Sequence, residues 1–171
     1  MILKYYEVNK VNISNFKYFI IYGENEGLKK EVIEKIRNNN EGKNINYEET
    51  QILKDKSNFF SEIKNKSLFD EKRIFLIERC TDKISEIVLE IYEEDSDDIL
   101  IFSCGILEKK SKIRKDLEKS KFVAVIPTYK DNSQSLINIA KNFFTEKKVS
   151  VSYETLNLSL IHISEPTRPY L

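Results

Sequence analysis

Phe16-Lys17-Tyr18-Phe19-Ile20-Ile21-Tyr22 runs directly into Gly23-Glu24-Asn25-Glu26-Gly27-Leu28-Lys29-Lys30. The first stretch is an apolar run bounded by Asn15 and Gly23, the pattern of a buried strand. Beyond the glycines, Leu28, Val32, Ile33 and Ile36 fall on one face of a helix over 25–38. An apolar strand that enters a helix through a glycine-containing turn is the building unit of parallel α/β sheets.

The same unit recurs down the chain. Residues 44–47 form a weak strand, and Ser57 is placed to cap a short helix carrying Phe59, Phe60 and Ile63. Arg73–Ile77 reads as a strand. Asp82 is placed to cap a helix with Ile84, Ile87, Val88 and Ile91. Ile99–Phe102 is a strand, 108–118 a charged helix, and Phe122–Ile126 a last strand stopped by Pro127. A long helix over 133–147 turns Leu136, Ile137, Ala140, Phe143 and Phe144 inward. Strands that are apolar throughout are buried on both faces, as in sheets covered by helices. The expected fold is therefore an α/β open parallel sheet of about five strands with flanking helices.

Composition narrows the function. Charged residues make up 33% of the 171 and hydrophobic ones 40%, which suits a folded domain rather than a disordered chain. Lys plus Arg equals Asp plus Glu, 28 each, so DNA binding by bulk charge is disfavoured. Charge is nevertheless local, with seven acids in 86–98 and seven bases in 109–121. Such blocks are usually solvated faces or mutual partners. Cys80 and Cys104 form no CxxC pair and read as two reduced thiols. No metal-ligand cluster stands out. The start carries no signal-peptide pattern and no apolar run approaches a membrane span, so the expected location is cytoplasmic.

The first turn is nearly a P-loop. The pattern G-x-x-x-x-G-K-[ST] places Gly23 and Lys29 in register, but Leu28 replaces the second glycine and Lys30 the magnesium-binding hydroxyl. Gly27 falls one position early. Glu24 and Glu26 put carboxylates where backbone amides would cradle phosphate. No acidic pair closes an apolar strand: residues 74–77 are followed by Glu78-Arg79, and residues 99–102 by Ser103-Cys104. Neither a catalytic residue nor a nucleotide cofactor is expected from this turn, and Gly23 and Gly27 read as parts of a tight strand–helix connection.

Three segments taken together resemble a known family: the degenerate turn 22–28, Ser67-Leu68-Phe69-Asp70-Glu71-Lys72-Arg73 before the third strand, and Lys110-Ser-Lys-Ile-Arg-Lys115 after the fourth. Their order and spacing, from about Phe16 to Leu156, resemble the delta subunit of the bacterial DNA polymerase III clamp loader. The resemblance implies a RecA-like AAA+-type domain without ATPase activity over 1–148 and the opening of a helical lid domain over 149–157. In that family a collar domain, absent from these 171 residues, joins the other clamp-loader subunits. The family belongs to the DNA-directed DNA polymerase (nucleotidyltransferase) holoenzyme, yet this part implies no catalysis of its own. Its implied partner is the beta sliding clamp, gripped by Leu68 and Phe69, with DNA met only through the complex.

Two large apolar residues amid Lys64, Asn65, Lys66, Ser67, Asp70, Glu71 and Lys72 suit a hydrophobic anchor with a polar rim. Packing of the pair into the chain's own core is the plain alternative. Rival functions are a divergent P-loop NTPase or kinase, and a nucleic-acid-binding module using the basic run 109–121. Residues 158–171 hold the only His (His162) and two of the three Pro. They resemble translated sequencing-adapter read-through and are expected to be foreign to the fold.

Overall fold

The structure, a computed structural model, describes residues 2–3, 16–65, 72–92, 97–118 and 123–164. The chain divides into two compact units, residues 1–129 and 130–171.

The first unit is a five-stranded sheet, all parallel, in the order β2-β3-β4-β1-β5. Its strands are β1 (Tyr18–Gly23), β2 (Lys43–Glu48), β3 (Arg73–Cys80), β4 (Ile99–Cys104) and β5 (Val123–Thr128). The helices are α1 (Glu26–Asn38), α2 (Glu49–Lys54), α3 (Lys56–Lys64), α4 (Ser85–Tyr92, entered through a 3-10 turn, Asp82–Ile84) and α5 (Lys112–Leu117). The α/β sheet expected from the apolar runs is the one observed.

Strand alternation splits the apolar residues into two cores. On one face Phe19, Ile21, Leu76, Ile101 and Ile126 pack with Val32, Ile33 and Ile36 of α1. On the other, Tyr18, Ile20, Phe75, Leu100 and Phe102 pack with Ile52, Phe59, Ile63, Ile87, Val88 and Ile113 from α2–α5. The connection β1–α1–β2 travels along the sheet one way, and every later connection travels the other. Right-handed crossovers then put α1 on the opposite face from α2–α5. The reversal lies between the neighbours β1 and β4, so their carboxyl ends border the crevice where open α/β sheets take ligands.

Several local expectations change. The strand at residues 73–77 extends to Cys80, past an irregularity between Ile77 and Cys80 at which Arg79 adopts φ 58°. The helix near Ser57 is capped not by Ser57 but by Asp55, whose side chain accepts from the Asn58 N–H at 3.0 Å. The short helix α2 precedes it, fitted between two caps and too brief for a periodic signal. Thr81, not Asp82, caps the 3-10 turn before α4. Asp82 instead serves α5 from 31 residues away, accepting from the Ser111 hydroxyl and from Ile113 N–H at 3.3 Å. The Ser111 bond holds the Asp82 carboxyl below its usual range.

Pro127 does not stop β5, which continues to Thr128. At this edge a proline costs no central ladder bond. The only further pairing described on that side lies two residues back, where Leu3 N–H donates to Val125 O at 2.9 Å. At the other edge lies β2, whose side chains alternate between exposed and half-buried for most of its length.

The second unit contains α6 (Ser133–Glu146) and α7 (Tyr153–Ser164). Asn132 and Ser135 cap α6 reciprocally. Its far end closes with Val149 N–H on Phe144 O and Lys148 N–H on Thr145 O, a Schellman motif with Lys148 at φ 56°. The inward face expected for α6 is only partly realised. Ile137 is buried, whereas Phe143 is 54% exposed. The Lys141 ammonium lies 4.8 Å from the Tyr153 ring centroid and ties the two helices together. Helix α7 runs across the point, residue 158, at which foreign sequence is expected to begin; residues 165–171 lie outside the described residues.

Candidate functional site

Two places merit description: the β1–α1 turn at the carboxyl ends of the strands, and the α3–β3 connection at their amino ends.

The turn is short. Only Glu24 and Asn25 separate β1 from α1. Gly23 has φ 144°, and a Cβ there would lie 2.0 Å from Thr128 O. The Gly23 N–H donates to Gly105 O at 3.0 Å, and Asn25 N–H to Thr128 O at 3.1 Å. The Asn25 side chain accepts from Leu28 N–H, and its carbonyl from Lys29 N–H, both at 3.0 Å. Four amides from the stretch that would cradle phosphate are thus committed inside the protein. Gly27 is a different case, since a Cβ there meets only Asn25 Oδ1 at 3.6 Å. Leu28 is buried, and Lys30 at the hydroxyl position is exposed.

Lys29 shows what the turn has become. Its side chain is almost wholly buried, with Nζ donating to Cys104 O at 3.1 Å and pairing with Glu26 at 2.6 Å. The ammonium that would meet a phosphate tail joins the end of β4 to the first turn of α1. Glu26, an apparent obstacle to phosphate, is its counter-ion. Glu78, two residues before the end of β3, is exposed and offers a single carboxylate. Among the described residues no group of three or more His, Cys, Asp or Glu is placed to hold a metal.

At the opposite end, α3 and β3 are joined by a segment carrying Leu68 and Phe69. This pair lies within 66–71, outside the described residues. Both flanks are anchored, and a residue not singled out in the sequence does much of it. The Arg73 guanidinium donates Nη1–H to Glu62 O at 2.8 Å and Nη2–H to Ile63 O at 3.1 Å, holding carbonyls of the last turn of α3. It also pairs with Asp98 through Nη2 at 2.7 Å and Nε at 3.3 Å, while the Arg73 backbone N–H reaches Asp98 Oδ1 at 3.2 Å. Lys72 O accepts from Lys43 N–H at 2.9 Å. The readable signal was an Arg and an Asp immediately before two apolar strands, but their pairing shows only once Ile74 is known to lie beside Ile99.

In the basic run, Lys109, Lys110, Lys112 and Lys115 are exposed. Arg114 bonds Glu118 at 2.5 Å and lies over the Tyr22 ring. Among the described residues no helix is long and apolar enough to cross a membrane.

No protein-family model and no curated protein matches the chain. Among solved structures it is similar to the Bacillus subtilis DNA clamp loader delta protein (YqeN), with a TM-score of 0.64 and 12% identity over 90% of this chain and 50% of that one. At that identity the likeness is one of fold. The shared fold is a parallel α/β sheet with flanking helices. Domain III of the Thermotoga maritima replication initiation protein DnaA is also similar, with a TM-score of 0.48 and 16% identity over 90% of this chain and 72% of that one. The chain spans half the length of the clamp-loader protein it matches.

Proposed function

We propose that the chain is part of a clamp-loader subunit of the delta type, which binds the beta sliding clamp during DNA replication and helps to open it without hydrolysing ATP. The observation that carries the reading is Lys29, buried on Cys104 O and Glu26 in a fold like that of a clamp-loader delta protein. A P-loop lysine turned into a structural strut fits a subunit that works by binding. Opening a ring requires only that the bound subunit favour the open state over the closed one. ATP-driven steps then belong to other loader subunits, reached through further domains of the whole protein. Residues 149–157, which fall within the second unit, are read as the opening of the lid domain. Leu68 and Phe69 are the anchor, on a segment whose flanks Arg73 fixes to the sheet, and burying both on the clamp gives a few kcal/mol before association costs.

The test is surface plasmon resonance against the cognate clamp, with a urea melt alongside. The Leu68→Ala/Phe69→Ala double variant is expected to lose at least about tenfold in affinity, or about 1.4 kcal/mol, at little cost in stability. Unchanged affinity with a large loss of stability would make the pair core residues and remove this reading.

The rival NTPase reading has its own measurement. Isothermal titration with ATP and Mg²⁺ is expected to show no micromolar binding, because the amides and the lysine of the turn are already engaged. A Mg²⁺-dependent micromolar site would overturn the expectation.

A further inference from the structure

Cys80 ends β3 and Cys104 ends β4, and the two are register partners in the sheet. Plain alternation would not bring them together. Ile77 is opposite Phe102, so three steps along β3 match only two along β4. An odd number of steps would turn Cys80 to the face opposite Ile77. The irregularity at Glu78 and Arg79, with Arg79 in the left-handed region, takes up the extra residue and returns Cys80 to the face it shares with Ile77, Phe102 and Cys104. The two thiols thus lie in one core, Cys80 donating to Ile77 O at 3.3 Å and Cys104 to Phe102 O at 4.0 Å. Neighbouring strands are about 4.8 Å apart, inside the Cα separation of roughly 4.4–6.8 Å that a disulfide spans. Both thiols are reduced and buried. Cys80 nevertheless lines a cavity of about 250 Å³, shared with Thr81, Asp82, Ile106, Glu108 and Ser111, which is large enough to admit a small oxidant.

We propose that Cys80 and Cys104 are an oxidisable pair, which a hydroperoxide entering through this cavity joins in a disulfide between β3 and β4. The Cys80 sulfur attacks the peroxide oxygen, the O–O bond breaks, and a sulfenic acid forms as water or an alcohol leaves. The Cys104 sulfur then attacks the sulfenic sulfur, the S–O bond breaks and water departs. Two thiols and one hydroperoxide give one disulfide, one alcohol (or water) and one water. The neighbouring Cys104 thiol and burial both push the Cys80 thiol well above its usual range. Its thiolate is therefore scarce, and the reaction is slow, a response to sustained rather than brief oxidation. The disulfide would form beside Cys104 O, which holds Lys29, and Gly105 O, which accepts from Gly23. Oxidation therefore bears on the β1–α1 turn directly.

The whole chain, treated with millimolar hydrogen peroxide for hours under native conditions, is alkylated in denaturant and measured by mass spectrometry. The expected product is a monomer lighter by two hydrogen atoms, resistant to alkylation, restored by dithiothreitol, and yielding a proteolytic fragment that links Cys80 to Cys104. In Cys104→Ser, Cys80 is expected to gain oxygen instead. Full alkylation of both thiols, oxygen added to the wild-type protein without a cross-link, or covalent dimers would each overturn the proposal. The wild-type mapping decides even if the variant fails to fold.

Discussion

Asp98→Ala is expected to lower the folding stability of the chain by about 3–5 kcal/mol, because it removes a buried carboxylate paired with the buried Arg73 guanidinium. The Arg73 and Asp98 side chains are only 9% and 2% exposed, so water cannot replace the lost partner without opening the sheet. Asp98 receives three bonds from Arg73, one from the backbone and two from the guanidinium. Two further guanidinium bonds go to carbonyls of α3, so a shift of Arg73 also loosens the end of that helix. Asp98→Asn keeps an acceptor and removes the charge, and is expected to fall between the two. Urea denaturation of the three proteins makes the measurement. A loss below about 1 kcal/mol for Asp98→Ala, the range of exposed pairs, would mean that the pair is solvated and not a buried anchor.

The two glycines of the degenerate turn are expected to respond in opposite ways. Gly23→Ala places a methyl group 2.0 Å from Thr128 O, on a residue at φ 144° that also donates to Gly105 O. Relief requires β1 and β5 to part at their ends, breaking the bonds that Asn25 N–H and the Thr128 hydroxyl make across the gap. Backbone strain alone contributes about 1–3 kcal/mol, and with the lost bonds the expected total is about 3 kcal/mol or more. Gly27→Ala meets only ordinary contact and lies within α1, where alanine is favoured over glycine by about 0.5–1 kcal/mol. It is expected to be neutral or stabilising. Thermal melts of both variants, read together, test the assignment; equal losses would refute it.

Four of the five strands were legible because each contains an apolar run, and burial on both faces leaves no alternation to misread; the polar β2 was the faint exception. What escaped was non-local. Asp82 looked like a cap for the helix that follows it, but its partners come from the start of α5. The extension of β3 past Glu78 and Arg79 depends on an irregularity against β4 that the local sequence does not announce. Phe143 has helical spacing yet stands largely exposed, because periodicity says which residues share a face and not how deeply that face is covered. The turn was recognised as a spoiled phosphate loop from Leu28 and Lys30. That Lys29 would become a strut could not be read, since its acceptor, Cys104 O, is a backbone atom 75 residues away. Arg73 begins a strand and Asp98 ends a run of acids, and nothing local to either residue announces the pair.

The outer strand β2 has a consequence for how the molecule behaves in company. Among the described residues β2 ends the sheet, and a terminal strand is a template on which another chain can add itself. Here the last strand carries Lys43, Asn44 and Asn46, and the Arg37 guanidinium on α1 reaches across to the Asn46 side chain at 2.6 Å. A charge, two amides and a side-chain latch give an incoming strand little apolar surface to dock on. The polarity that made β2 the faintest strand in the sequence is therefore what keeps the sheet from growing, and self-association would be the first cost of replacing those residues with valine or isoleucine.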